Sequence, residues 1–262
     1  MSFIKSFSIN TNKQQPFPFN IPAVRFAKDI ALEKVTIFAG DNGSGKSTLL
    51  ERIAYTVNLP VIGGYIGAVA DFEAARILKP YLHLDWKLNT SMGFFFRAED
   101  FSAFIDSVEK ERMKLAAQLS DLEGEVSDSV IKQMSECANF SLRLMRKEYG
   151  ENMLAFSHGE AYLKILQTRI VNKGIYLLDE PEAALSPLKQ LSLIVLILEV
   201  LKNKNSQFII STHSPILMGI PGALLYEIQE DAMQQVEFTD TEHYRITKTF
   251  LDNPLAYLRH LH

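Results

Sequence analysis

Apolar residues recur at two spacings along this 262-residue chain, and the places where one spacing gives way to the other mark out its elements. Near the start, Phe3, Ile4, Phe7 and Ile9 alternate with polar residues, the period of a half-buried strand, and the Pro- and Asn-rich stretch through Pro22 predicts a loop behind it. A short strand pair is expected there. Val35 to Ala39 is a continuous apolar run that leads into a helix over about Lys46 to Val57. The Gly-rich segment GGYIGAVA (residues 63–70) predicts irregular chain, whereas the alternation from Tyr81 to Leu88 and the aromatic run from Gly93 to Arg97 predict strands. From Glu99 to about Tyr149 the spacing becomes helical. Phe101, Phe104, Ile105 and Val108, then Leu115, Leu119 and Leu122, recur at three- and four-residue intervals in highly charged sequence, which predicts a helical insertion at about 99–150.

Beyond it the chain alternates again: a helix from about Glu160 to Val171, a strand Ile175 to Leu178, a helix Pro187 to Lys202 and a strand Phe208 to Ser211. From Leu224 onward one or two strands precede helical segments ending in LAYLRHLH. Strands that are apolar without polar alternation, separated by helices, fit a parallel sheet covered on both faces. The expected fold is α/β in one domain over 1–262: a mainly parallel central sheet, an antiparallel β portion and the helical insertion.

Composition narrows this picture. At 47% hydrophobic, a chain of this length buries roughly three quarters of its unfolded surface, enough for one domain with a substantial insertion. A net charge of −4 excludes a generally basic, DNA-coating protein and leaves room for a local positive patch: on a helix Arg143, Arg146 and Lys147 form one stripe, either a contact for nucleic acid or an acidic partner or a solvated face paired with Glu148 and Glu151. The single cysteine, Cys137, cannot form an internal disulfide, and MSFIKSFSIN lacks the long apolar core of a signal peptide, so a reducing cytoplasm is expected. The most apolar stretch, Leu191 to Leu201, falls far short of the roughly 20 residues that span a bilayer. No membrane association is expected.

The chemistry is concentrated in three places. Gly40-Asp41-Asn42-Gly43-Ser44-Gly45-Lys46-Ser47 fills the pattern G-x-x-x-x-G-K-[ST] between an apolar strand and a helix. Glycines let the backbone turn tightly around a phosphate chain, so that its N–H groups and the helix N-terminus point at the anion. Lys46 is expected on the β- and γ-phosphates and Ser47 on Mg²⁺, with Thr48 completing the phosphate-binding set. The second place is Ile175-Tyr176-Leu177-Leu178-Asp179-Glu180-Pro181, an apolar strand ending in two carboxylates. Adjacent residues at a strand end diverge, so Asp179 can serve Mg²⁺ while Glu180 acts as general base on water; the simpler alternative is an acidic cap before Pro181. The third is His213, where the next apolar strand emerges. It either hydrogen-bonds the γ-phosphate or the water, or it is structural. Arg25 and Phe26 either stack on adenine or are a surface arginine and a core phenylalanine.

In this order, the motifs resemble the ATP-binding cassette superfamily of P-loop NTPases, especially its soluble branch of chromosome-maintenance, recombination and overcoming-lysogenization-defect ATPases. The runs FNIPAVR, VTIFAGDNGSGKSTLLE, FFFRAEDF, FSHGE and TEHYRITKTFLDNP resemble small bacterial ATPases without a transporter domain. The resemblance implies two nucleotide-binding domains face to face, each ATP held between the phosphate loop of one and a signature motif of the other. At the signature position stands Phe156-Ser157-His158-Gly159-Glu160, where His158 replaces a glycine and Glu160 a glutamine. Ser157 and the N–H of Gly159 are then expected on the γ-phosphate of the opposing subunit, although Ser157 with Glu160 also reads as a helix cap. Ala183-Ala184-Leu185-Ser186-Pro187 falls at the position of the family's D-loop, with Ser186 the expected contact across the dimer. The family's Q-loop glutamine is replaced by Arg97-Ala98-Glu99. There, Glu99 takes over a water or metal contact, Arg97 meets phosphate, or both are ordinary surface residues.

Three functions follow. The leading one is a Mg²⁺-dependent ATPase that dimerises on ATP and moves the insertion to act on a partner protein or nucleic acid, in DNA maintenance or phage defence. The second is a slow ATP-sensing module that controls a separate effector such as a nuclease or toxin. The third is a transporter ATPase subunit, which the altered signature and the missing glutamine disfavour.

Overall fold

In the computed structural model the described residues are 2–10, 16–62, 73–101, 110, 113–114, 158–170, 173–203 and 205–259. The Gly-rich segment, most of the expected insertion with Cys137 and the Arg143, Arg146, Lys147 stripe, and Ser157 lie outside them.

Among the described residues the central sheet has seven strands in the order β10-β9-β3-β8-β7-β6-β4. They are β3 (Val35–Gly40), β4 (Val61–Ile62), β6 (Gly93–Arg97), β7 (Gly174–Asp179), β8 (Ser206–Ser211), β9 (Leu224–Ile228) and β10 (Met233–Gln235). All neighbours are parallel except β10, which runs antiparallel to β9. A smaller antiparallel sheet sets β1 (Ile4–Ile9) between β2 (Ile30–Ala31) and β5 (Leu82–Trp86). The helices are α1 (Pro22–Arg25), α2 (Lys46–Val57), α3 (Glu73–Ile77), α4 (His158–Arg169), α5 (Pro187–Asn203), α6 (Pro215–Met218), α7 (Glu242–Asp252) and α8 (Pro254–Leu258). Among the described residues no helix is long and apolar enough to cross a membrane.

The continuous apolar runs of β3, β7 and β8 have their physical reason in the two-sided cover. Every residue of these strands is buried. Tyr176, Leu178, Phe208 and Ile210 pack on one face with Tyr162, Ile165 and Leu166 of α4 and Leu193 and Ile197 of α5. Ile175, Leu177 and Ile209 point the other way, into a second core with Leu49, Leu50 and Ile53 of α2 and the inner side of the small sheet. Because β5 and β1 have only one covered face, they keep the polar alternation visible in the sequence. Trp86 sits on that alternating strand, partly buried against the second core.

Among the described residues two side chains tie the two sheets together: Tyr226 of β9, whose hydroxyl donates to the Ala31 carbonyl of β2 (3.2 Å), and Gln207 of β8. Gln207, fully buried in β8, accepts the N–H groups of Phe3 (2.9 Å) and Ile4 (2.8 Å) on Oε1. Its Nε2 donates to the carbonyls of Ile4 (2.8 Å) and Glu33 (3.1 Å). All four hydrogen-bonding positions of the amide are used, so it completes a ladder the two sheets cannot make with backbone alone. Gln207→Leu leaves two buried N–H groups without an acceptor and is expected to cost about 3 kcal/mol or more. In urea denaturation the midpoint should fall with little change in slope.

Candidate functional site

The C-terminal ends of the central strands meet along one edge. Register pairs Arg97 of β6 with Asp179 of β7, Asp179 with Ser211 of β8, and Ser211 with Phe38 of β3, two residues before the phosphate loop. The loop then turns at Gly40 (φ 147°), where a Cβ would lie 2.5 Å from the Ile228 carbonyl oxygen of β9, and enters α2 at Gly45 (φ 92°). Only glycine satisfies both positions. No side chain caps the start of α2, which leaves its first N–H groups for an anion. Lys46, almost wholly buried, folds back so that Nζ donates to the carbonyls of Gly40 (2.8 Å) and Asp41 (2.9 Å). Burial lowers its pKa, against the pull of Glu180, Asp179, Glu182 and Asp41. The Ser44 hydroxyl is buried without a hydrogen-bond partner among the described residues, an orphan that a phosphate oxygen would satisfy.

Asp179 is buried at the end of β7. Its Oδ1 accepts the hydroxyls of Ser211 and of Ser47 (3.1 Å), which brings together the two residues expected on the metal. Burial raises its pKa, and the two hydroxyls and Arg97 partly offset that. Arg97, at the position of the missing glutamine, is mostly buried and faces inward. It pairs with Glu51 (3.2 Å), Glu99 and Asp100 (3.5 Å) and reaches to 4.0 Å of Asp179. It is therefore no ordinary surface residue. Glu99 is exposed and turned to the guanidinium. One guanidinium shared among four carboxylates holds none of them fully, and the pKa of Glu51 is pushed up to about 7 by burial that outweighs the pull of Arg97. The residues present fit Mg²⁺: a hydroxyl beside a buried carboxylate, with further carboxylates close by.

Glu180 follows in the left-handed region (φ 47°), so its side chain leaves the sheet in a different direction from that of Asp179. Its Oε1 lies 3.2 Å from Nε2 of His213, whose Nδ1 lies 3.2 Å from Nε2 of His243 at the start of α7. The pKa of His213 is lowered by burial first and then by Lys46 and His243, against Glu180. Glu182 holds the turn that carries His213: its Oε1 accepts Thr212 Oγ1 (2.7 Å) and the N–H groups of His213 (2.5 Å) and Ser214 (3.1 Å). Burial raises the pKa of Glu182, and these hydrogen bonds partly offset it. At the end of β9, buried Glu227 accepts the Glu242 N–H (2.8 Å) and so anchors α7.

Lys46, Ser47, Asp179, Glu180 and His213 are thus brought together at one edge. Arg25 sits nearby: α1 is bound to the loop by the Ala23 N–H donating to Ser44 O (2.9 Å), and the guanidinium lies over the Phe26 ring at 5.1 Å, both half-buried. A cavity of about 740 Å³ opens beside the loop, lined by Gly40 to Ser44, by Glu227 and the turn behind it, and by His243. Thr48 is in the first turn of α2, Gly159 in that of α4, and Ser186 is exposed just before α5. Glu51, Glu227 and His243 contribute to the site although the sequence assigns none of them a role of its own. Glu182 had a weak local signal, a third carboxylate directly after Asp179-Glu180-Pro181.

Residues 68–218, more than half of the chain, match the family model of the AAA ATPase domain (AAA_15), and the chain belongs to that family. The matched span contains Asp179, Glu180 and His213 but not the phosphate loop, which its own motif identifies. Over 165 residues, 61% of each chain, the sequence is 28% identical to "Probable branched-chain amino acid transport ATP-binding protein LivF" of Archaeoglobus fulgidus. It is 26% identical to "Lipoprotein-releasing system ATP-binding protein LolD" of Pseudoalteromonas translucida over 220 residues, 83% of this chain and 90% of that one. The match therefore spans about three fifths of the length of the first relative and most of the second. Among solved structures, a protein assigned as a metal-chelate type ABC transporter, in an inward-facing conformation, superposes with a TM-score of 0.50 at 17% identity, covering 94% of this chain and 88% of that one. The fold is that of ATP-binding cassette P-loop ATPases.

The shared guanidinium gives a pH test. With a folded pKa near 7 against 4.5 unfolded, Glu51 holds its proton in the folded protein through this interval. Its contribution to stability is complete below pH 4.5 and lost as pH rises through about 7. The stability of wild type relative to Glu51→Gln, from urea midpoints, is expected to fall across that window and level off above it. A difference that grows with pH would mean that Arg97 holds Glu51 ionised.

Proposed function

We propose that this chain is a Mg²⁺-dependent ATPase that closes as a homodimer around ATP and passes its nucleotide state to a partner protein or nucleic acid. Membership in an ATPase family and likeness to ATP-binding subunits support ATP hydrolysis as its general activity. The observation that carries the finer reading is the convergence of Lys46, Ser47, Asp179, Glu180 and His213 on one strand edge beside an uncapped helix N-terminus.

The residues divide the work as follows. Lys46 Nζ exchanges the Gly40 and Asp41 carbonyls for phosphate oxygens, trading neutral partners for charged ones. Ser47 and Asp179 would hold Mg²⁺, which neutralises charge on the phosphate chain when bound. Glu180 takes the proton of the attacking water; the phosphorus–oxygen bond to the leaving diphosphate breaks as the water oxygen bonds phosphorus, giving ADP and phosphate. Arg25 and Phe26 present a plane for adenine beside the loop. Ser157, outside the described residues, and the Gly159 N–H at the start of α4 would reach the γ-phosphate of the facing copy, with Ser186 exposed toward that interface. Phage defence or DNA maintenance would follow from the identity of the partner.

A slow, regulatory turnover is the second reading. It is favoured by Arg97, which places a cation among four carboxylates where the related ATPases hold a glutamine.

Glu180→Gln is expected to keep ATP and Mg²⁺ while slowing hydrolysis by about 10²- to 10⁴-fold, the usual worth of a general base. With ATP it should run as a dimer in size-exclusion chromatography. A variant that stays monomeric with ATP bound would refute the sandwich.

A further inference from the structure

We infer that His243, at the start of α7, is a positioning residue that fixes the proton on His213: it donates from Nε2 to His213 Nδ1 and thereby keeps the His213 Nε2–H aimed at the nucleotide edge. The inference rests on the reading of Glu180 and His213 as the groups that face the γ-phosphate, and it adds a residue from the far end of the chain.

The hydrogen-bond chain has one consistent direction. Glu180 Oε1 lies 3.2 Å from His213 Nε2, and a carboxylate accepts but cannot donate, so Nε2 carries the hydrogen. In neutral His213 the other nitrogen, Nδ1, is then a bare acceptor, and its partner at 3.2 Å, His243 Nε2, must be the donor. That leaves His243 Nδ1 as a lone pair. It is buried and has no partner among the described residues, which a bare acceptor tolerates better than an N–H would. The opposite assignment makes His213 an imidazolium. Its Nδ1–H would take the His243 Nε2 lone pair, and the His243 hydrogen would sit on Nδ1 as a buried donor with nothing to receive it, next to a half-buried cation already facing Lys46. The groups around His213 are Glu180 on Nε2, His243 on Nδ1, Lys46 across the site and Glu182 on its backbone N–H. Of these, only His243 bonds Nδ1.

His243 is itself held. Glu227 at the end of β9 accepts the Glu242 N–H, and the Thr241 hydroxyl caps α7 on the Tyr244 N–H (3.4 Å), which fixes the turn that carries the imidazole. The consequence is chemical. His213 is a hydrogen-bond donor and not a proton acceptor, able to pass its Nε2–H from Glu180 to a phosphate oxygen without changing charge. Glu180 is thereby released as the base, and any movement of α7 alters the donor.

The test uses His243→Leu, which removes the donor, and His243→Gln, whose amide Nε2 can donate from a similar position. Long-range proton–nitrogen correlation spectra of the ATP-free protein, with the His213 ring assigned by a His213→Asn control, are expected to show protonated Nε2 and bare Nδ1 in wild type and in His243→Gln. In a Glu180→Gln background, where the amide can accept or donate and no longer dictates the Nε2–H, adding His243→Leu should mix the two tautomers. In steady-state ATPase assays kcat should fall about five- to tenfold in His243→Leu, the worth of one lost hydrogen bond, with KM changed less than twofold and the loss largely restored in His243→Gln. An unchanged His213 tautomer on adding His243→Leu to Glu180→Gln, or a kcat in His243→Gln as low as in His243→Leu, would overturn the proposal. A wild type with the expected tautomer but no ATP turnover would support this inference and refute the ATPase reading instead.

Discussion

Negative charge held in excess at one edge of the central sheet is the constraint on which this structure turns. Asp179 and Glu51 are buried and Glu182 partly so, Glu180 stands beside them, and among the described residues the cations that face them are Lys46 and Arg97. Desolvation pushes the carboxyls of Asp179, Glu182 and Glu51 toward their neutral forms. A fold does not gather acids in this way for stability, because each costs desolvation that its neighbours only partly return. A divalent metal and the polarised water of a phosphoryl transfer would give the same charge a use.

The scaffold answers this strain with hydrogen bonds from elements distant in sequence. Ser211 and Ser47 bond Asp179 from two different strand–helix junctions, Glu182 ties its own turn to that of His213, and Glu227 fastens α7 where His243 can reach the site. Beneath them, Gln207 joins the small antiparallel sheet to the strand that ends at Ser211. The edge is thus built on rigid, doubly covered strands, with the adjustable groups confined to the turns that leave them.

The sequence made legible whatever depends on local pattern. The phosphate loop, the acidic strand end and the strand–helix alternation all follow from spacing, because α2, β7 and β8 carry their periodicity within themselves and the fully apolar strands announce two-sided burial. What stayed hidden depends on register between distant strands. Arg97 reads as a phosphate contact or as an ordinary surface residue until the β6–β7 pairing sets it opposite Asp179. Glu51 looks like an ordinary helix acid until it meets that guanidinium. His243 lies thirty residues beyond His213 in a polar helix, and the clamp at Glu227 with the Thr241 cap brings the two rings to a centroid distance of 5.3 Å.

If the edge is charged for Mg²⁺–ATP, Asp179 harms the empty protein and serves the loaded one. Thermal unfolding of wild type and Asp179→Asn, each alone, with ATP and with ATP plus Mg²⁺, separates these roles. Asparagine still accepts the Ser47 and Ser211 hydroxyls but removes the buried charge, so the variant alone is expected to melt no lower than wild type and to gain nothing from Mg²⁺ beyond what ATP gives. A variant that melts well below wild type, or that keeps the full Mg²⁺-dependent upward shift, would contradict the account.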